Sequence, residues 1–263
     1  MQLVILAAGL SRRYGRPKQL EPIIDEKTII DYNIENANKC KIKNIIIITN
    51  PQIYKEMKEK YKSKARVFKS EASFLKTPTQ IGNLYTLYTS LNKIKKDFIV
   101  INADDYYEEI TFKKAVEFLK NEREQIGIMT YKLKNVLTDK REVNRGIIEN
   151  KSDEVVSIKE TIGIKIENNI IMDFKGSILD KESLVSMGFY IFRKKIKKDI
   201  KNYIKKFIKN KTYEKKEAYL TDFVSDIAKN NKIKLIKSDA KWVGLTFPED
   251  KQQVENFLKS KCA

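Results

Sequence analysis

The chain has 263 residues, enough for one large α/β domain with a substantial core. Lys and Arg total 53 against 35 Asp and Glu, a formal net charge of +18, and there is no histidine. The missing histidine excludes the usual general base and the usual transition-metal ligand, so a metal has to sit on carboxylates, which favours Mg²⁺. The lysines are spread along helices at solvent-facing spacings, and no helix-turn-helix, RNP or zinc-finger pattern gathers them. Nucleic acid is therefore the weaker reading of the charge, and small anionic substrates profit from the same field. Cys40 and Cys262 are isolated, with no CxxC spacing, as expected of reduced thiols in a cytosolic protein. The N-terminus reads as a strand, not as a charged-then-apolar signal, and no run approaches membrane-spanning length. The expectation is a soluble, cytoplasmic protein.

An apolar run over residues 3–6 predicts a buried first strand. It ends in Ala7-Ala8-Gly9, small residues that let a ligand approach the backbone of Leu6, Ala7, Ala8 and Gly9. Ser11, Arg12, Arg13, Gly15, Arg16 and Lys18 follow, with Pro17 stiffening the chain before the lysine. Backbone N–H groups and four cations in one loop after a strand suit polyphosphate. The patterns GxxxxGK[ST] and GxGxxG are both absent.

Thr28 is the expected N-cap of a helix whose apolar face carries Ile29, Ile30, Tyr32 or Asn33, Ile34 and Ala37. The β-branched run at 45–49 reads as a second parallel strand buried on both faces. Pro51 opens a helix to about Tyr61, and 66–68 is a short third strand. This alternation predicts α/β architecture with a doubly wound, mostly parallel central sheet, and ligands at the carboxyl ends of its strands. Residues 76–83 break the pattern before a helix over 84–91. Gln80 and Gly82 there suit a base edge and a close approach to its ring, while on these residues alone an ordinary helix start capped by Thr79 is the better explanation.

A buried strand over 98–101 runs into Asn102-Ala103-Asp104-Asp105-Tyr106-Tyr107. Two carboxylates at the ligand edge of a sheet are where Mg²⁺ belongs beside a triphosphate, a reading that favours Asp104, while Asp105 is better read as capping the turn. From about Gln125 the segments 126–132, 143–149, 154–159 and 162–167 predict short strands of a small mixed or antiparallel addition. An apolar strand over 186–192 and helices over 195–210 and 217–230 follow. No repeat, low-complexity linker or domain boundary interrupts the chain, so a single domain is expected over 1–263.

Residues 6–20, LAAGLSRRYGRPKQL, resemble the signature of the nucleotidyltransferases that join a nucleoside triphosphate to a sugar phosphate or related phosphate ester. That pattern is LAAG, a small residue, an arginine, then PK-x-L, and it implies catalytic roles for Arg13 and Lys18. The resemblance implies the nucleotide-diphospho-sugar transferase fold, with 1–124 as the nucleotide half and 125–263 as the acceptor half. It implies a nucleotide site on Leu6, Ala7, Ala8, Gly9, Ser11, Arg12, Gln80, Gly82 and Asn83. Asn83 stands where the family has a threonine. The word NADDYY is similar to the second signature, whose first aspartate holds the metal, which implies Asp104 as a Mg²⁺ ligand.

Arg145-Gly146-Ile147, Ser157-Ile158-Lys159-Glu160 and the strand over 186–192 resemble the acceptor site, which implies acceptor contacts for Gly146, Glu160 and Tyr190. Glu217 to Asp222 resembles a Glu-x-x-[Leu/Ile]-x-Asp helix, in which a capping or packing role for Asp222 is expected. The word from Trp242 to Asp250 resembles W-x-D-x-G-T-P-E-D, except that Gly244 replaces the second metal-binding aspartate. A subgroup of unassigned substrate shares the form W-x-G-x-T-x-x-E-D together with NADD. The second ligand is then lost, or supplied by another carboxylate such as Asp250. The expected activity transfers a nucleoside monophosphate from the triphosphate to a sugar 1-phosphate or similar ester and releases pyrophosphate. A phosphocholine-type cytidylyltransferase, suggested by Asn83-Leu-Tyr-Thr-Leu-Tyr, and a nucleotide-binding regulator without turnover, suggested by Gly244, stand beside it.

Overall fold

A computed structural model describes residues 1–70, 82–137 and 141–262. The predicted alternation is realised in its first half. Strand β1 (Gln2–Ala7) is followed by α1 (Ile29–Lys39), β2 (Ile45–Thr49), α2 (Tyr54–Tyr61), β3 (Arg66–Lys69), α3 (Asn83–Thr89) and β4 (Phe98–Asn102). Thr28 caps α1 in a capping box: its hydroxyl accepts from the Asp31 N–H, and the Asp31 carboxylate accepts from the Thr28 N–H. The helix expected from Pro51 starts three residues later, at Tyr54, because the Asn50 side chain first accepts from the N–H groups of Gln52 and Ile53 in a turn.

The second half adds β5 (Asp105–Tyr107), α4 (Glu109–Asn121), β6 (Ile126–Lys132), β7 (Val143–Lys151), β8 (Glu154–Glu167), β9 (Ile170–Met172) and β10 (Leu184–Phe192). It ends with α5 (Lys197–Lys209), α6 (Leu220–Ala228), β11 (Ile233–Lys237), β12 (Trp242–Gly244) and α7 (Asp250–Cys262). The two strands expected at 154–159 and 162–167 are one strand, β8. Gly163, at φ +62°, absorbs the irregularity where the register against β7 shifts, so the ladder bends without breaking.

Strand order in the main sheet is β3-β2-β1-β4-β10-β6-β11-β8-β7. Strands β3, β2, β1 and β4 run parallel, and β10 enters antiparallel beside β4. Alternate residues of β1 face different cores. Leu3, Ile5 and Ala7 pack with Ile30 and Ile34 of α1, Met57 of α2 and Phe112 of α4. Val4 and Leu6 pack with Leu84 and Leu87 of α3 and with α5 and α6. Helices thus cover both faces of the parallel strands, which is why β1, β2 and β4 are apolar at nearly every position.

A second, two-stranded sheet pairs β5 with β12 antiparallel. It is held against α1 by two buried asparagines. Asn33 donates to the Asp105 carbonyl at 2.7 Å and accepts from the Tyr107 N–H at 3.0 Å, and Asn36 donates to the Tyr107 carbonyl at 2.9 Å. Among the described residues no helix is long and apolar enough to cross a membrane.

Candidate active site

The signature loop follows the carboxyl end of β1, beside that of its parallel neighbour β4. Ser11 adopts a left-handed conformation, φ +52°, so its carbonyl accepts from both the Tyr14 and Gly15 N–H groups. The loop is sewn together by Gln19, a buried residue that sequence reasoning did not single out. Its amide donates to the Gly9 carbonyl at 2.7 Å and accepts from the Ser11 hydroxyl at 3.1 Å. Asn50 at the end of β2 donates to the same Gly9 carbonyl at 3.3 Å. Leu6 and Ala7 are buried in β1, Ala8 and Gly9 are half-buried on its rim, and Arg12 and Arg13 are exposed.

Lys18 and Asp104, far apart in sequence, meet. The Lys18 ammonium pairs with Asp104 Oδ2 and donates to the Leu245 carbonyl at 2.8 Å. Three segments singled out from sequence, the loop after β1, the acidic turn after β4 and the C-terminal word, therefore converge on one ammonium group. The same word holds the loop elsewhere. The Arg13 guanidinium lies 5.7 Å from the Phe247 ring centre, and that of Arg141 lies 4.9 Å from it. Glu21, only 4 % exposed, pairs with Arg16 and with Lys251 of α7.

Asp105 is buried beside Asp104. Asn102 donates to its Oδ2 at 2.8 Å, and the Tyr107 hydroxyl, which donates to the Met187 carbonyl at 2.6 Å, lies 3.3 Å from the same oxygen. Burial, then the charge of Asp104, pushes its carboxyl up to about 7. Asp250 points into its own loop. Its Oδ2 accepts from the Thr246 and Phe247 N–H groups at 2.8 and 2.7 Å, and its Oδ1 pairs with Arg141 at 3.2 Å. Both oxygens are thus engaged in shaping the C-terminal word.

Gly82 heads α3 at φ +85°, and a Cβ there would meet the Ala218 carbonyl oxygen at 2.3 Å. Asn83 accepts from the Leu220 N–H at 2.8 Å, so its side-chain oxygen is spent on seating α6. Gln80, and Thr79 with it, lies outside the described residues. Gly146 and Glu160 are cross-strand partners on β7 and β8. Glu160 Oε2 lies 3.7 Å from where a Gly146 Cβ would sit, and partial burial holds its carboxyl above the ordinary range. Tyr190 is buried in the core of β10, stacked on Phe192, and the Ser186 hydroxyl donates to its own at 3.0 Å.

Arg145 is a second residue that sequence reasoning quoted without giving it a role. Its guanidinium lies 4.9 Å from the Trp242 ring centre and donates to the Val136 carbonyl at 2.9 Å. Burial pulls it down to about 10 against the opposing charges of Asp105, Glu160 and Asp250. A hollow of about 540 Å³ lies elsewhere, beside Asp97 and Arg193, but there the charges already pair with each other at 3.1 Å.

Residues 3–250 match the family model for nucleotidyl transferases. The chain is 24 % identical over 253 residues to a bifunctional sugar-1-phosphate nucleotidylyltransferase/acetyltransferase of Sulfurisphaera tokodaii, covering 94 % of this chain and 53 % of that protein. It is 27 % identical over 271 residues to the bifunctional protein GlmU of Methanocaldococcus jannaschii, covering 99 % and 55 %. The chain thus spans about half the length of the curated relatives it matches. Among solved structures, the inositol-1-phosphate CTP transferase from T. maritima superposes with a TM-score of 0.71 at 13 % identity, covering 98 % of this chain and 94 % of that one. At that identity the likeness shows the fold alone, the nucleotide-diphospho-sugar transferase fold.

Proposed function

The chain belongs to the nucleotidyl transferase family, and from that premise we propose that it transfers a nucleoside monophosphate from a nucleoside triphosphate to a sugar 1-phosphate or similar phosphate ester. The observation that carries the reading is the convergence of Lys18, Asp104 and the Leu245 carbonyl. An oxygen of the acceptor phosphate attacks the α-phosphorus, the bond from that phosphorus to the bridging oxygen breaks, and pyrophosphate leaves. No protein nucleophile is required, which suits a chain without histidine. The reaction needs two highly charged groups aligned and their charge neutralised.

On this reading the backbone N–H groups of the loop over 8–15 and Arg13 hold the triphosphate. Lys18 stabilises charge between the α-phosphate and the incoming phosphate. Asp104 would hold Mg²⁺: a carboxylate set without histidine suits a hard cation, and Asp104 already accepts a cation, the Lys18 ammonium. Bound there, Mg²⁺ would supply charge neutralisation on the phosphates. The reading takes the sheet as doubly wound, with the nucleotide in the crevice where strand order reverses beside β1. It takes 1–124 as the nucleotide half and 125–263, with Gly146 and Glu160, as the acceptor half.

Pyrophosphate release is the test, measured with CTP, UTP, GTP and dTTP against a hexose 1-phosphate, inositol 1-phosphate and phosphocholine. Turnover with one sugar-type acceptor is the expected result. Silence across the panel with tight nucleotide binding would overturn it in favour of a regulator.

A further inference from the structure

Gly244 stands where the family signature carries a carboxylate, and the structure fills that space from the opposite strand. In the β5–β12 ladder Gly244 is the direct partner of Asp105. Directly opposed residues of an antiparallel pair present their side chains to the same face, with Cβ atoms about 5 Å apart. A carboxylate on either strand therefore serves the same side of the ribbon. A Cβ built on Gly244 would lie 2.5 Å from Asp105 Oδ1 and 3.1 Å from the Asp104 carbonyl oxygen. Gly244 is not among the glycines with positive φ, so its backbone admits a side chain. The Asp105 carboxylate, together with the Trp242 ring edge at 2.8 Å, is what occupies the room.

Asp105 is only 8 % exposed, and among the described residues no Lys or Arg nitrogen lies within 4 Å of its carboxylate. Its polar contacts, the bond from Asn102 and the Tyr107 hydroxyl at 3.3 Å, are both at Oδ2, and the oxygen turned toward Gly244 is Oδ1. An asparagine would accept from Asn102 in the same way without burying a charge beside Asp104, so the hydrogen bonding alone does not call for an aspartate. The charges of Lys18 and Arg145 act on Asp105 from beyond ion-pair distance, and a divalent cation between the two carboxylates would supply the close partner it lacks.

We propose that Asp105 is the second carboxylate of the divalent-cation site, transposed across the β5–β12 pair into the space left by Gly244. The inference rests on the metal reading of Asp104 given above. Among the described residues no group of three or more carboxylate or thiol ligands surrounds this pair, so phosphate oxygens and water complete the shell.

The test is Mn²⁺ titration of the full chain, with free Mn²⁺ followed by electron paramagnetic resonance and fold integrity by circular dichroism. Asp105→Asn, which preserves shape and the bond from Asn102, is expected to weaken Mn²⁺ binding by roughly tenfold or more. Asp104→Asn should do the same. Asp105→Ala combined with Gly244→Asp, which returns the carboxylate to β12, should recover much of what Asp105→Ala alone loses. Wild-type affinity in folded Asp105→Asn, with affinity lost in Asp104→Asn, overturns this assignment and leaves the Asp104 reading standing. Loss in Asp250→Asn but not in Asp105→Asn moves the ligand to Asp250 and also overturns it. Loss at Asp105 without recovery in the double variant makes Asp105 a support for Asp104 and overturns the transposition. Absence of Mn²⁺ binding in the wild type at millimolar concentrations, or wild-type affinity in Asp104→Asn, defeats the metal reading itself.

Discussion

Lys18→Met keeps the aliphatic stem and removes the ammonium, and the structure says how large each consequence should be. The side chain of Lys18 is 14 % exposed and that of Asp104 is 28 % exposed. Water can therefore reach the orphaned carboxylate, and the loss of one partly exposed ion pair destabilises the fold by about 1 kcal/mol or less. For a domain of this size that is a fall in melting temperature of about 3 °C. The loss in the reaction is larger, because a preorganised charge next to developing negative charge contributes roughly 3 kcal/mol. Turnover should fall about a hundredfold or more, with KM for the triphosphate changing far less. Steady-state pyrophosphate release and a thermal melt on the same preparation separate the two effects. Mn²⁺ affinity should not fall, since the competing ammonium is gone. Lys120→Ala and Lys209→Ala, on exposed helix faces, serve as silent controls. Near-normal turnover in Lys18→Met refutes the assignment.

Asp104→Asn should fold normally and lose nearly all activity, and full activity at low Mg²⁺ would show that Asp104 is no ligand. Asp31→Asn tests the α1 capping box. Burial raises the Asp31 carboxyl, but bonds from Lys64 and from the Thr28 N–H and hydroxyl outweigh it and leave the group below the usual aspartate range. A carboxylate held low contributes stability above the ordinary value near pH 4, and that contribution fades as pH falls through the folded value. Urea unfolding at pH 7 should show Asp31→Asn less stable by about 1–3 kcal/mol, with the gap to the wild type closing in acid; a gap independent of pH counts against it. Gly188→Ala puts a Cβ 2.3 Å from Asn102 Nδ2 at a φ of +78°, so it should lower the melting temperature and disturb the Asn102–Asp105 bond. The conformational strain alone is about 1–3 kcal/mol, and an unchanged melt would show that the close approach is not maintained.

The parallel half of the fold was legible because its signals are local. Ile45–Thr49 is a β-branched run that only a strand buried on both faces explains, and Thr28 with Asp31 writes the start of α1 within four residues. The antiparallel half was less legible. The polar pair at the middle of β8 reads from sequence as a gap between two strands, because Glu160 and Thr161 interrupt the apolar pattern. They lie on a strand whose β7 partners hold it in register whatever its own propensity. Asn33 was read as an alternative to an apolar helix position, and the structure buries it completely. It substitutes for apolar packing by capturing the backbone of β5 with two hydrogen bonds.

The candidate site divides along the same line. Arg13, Lys18 and Asp104 stood out because each sits in a contiguous word, and the structure brings two of the three into contact. What the words did not reveal is how they depend on one another. Gly244 read as a missing ligand, and the search for a replacement went to Asp250, which shares its word. But Asp250 spends its oxygens on the Thr246 and Phe247 N–H groups and on Arg141. The carboxylate that borders the space at Gly244 belongs to another word altogether and reaches it through strand pairing. A side chain at 244 and a carboxylate at 105 compete for one volume, so the two positions are coupled by sterics before any chemistry is considered. A side chain at 244 would force the Asp105 carboxylate and the Trp242 ring to shift. On the proposal made above, the counterpart of the departure at Gly244 is Asp105, which stands beside Asp104 and reads from sequence as the cap of a turn.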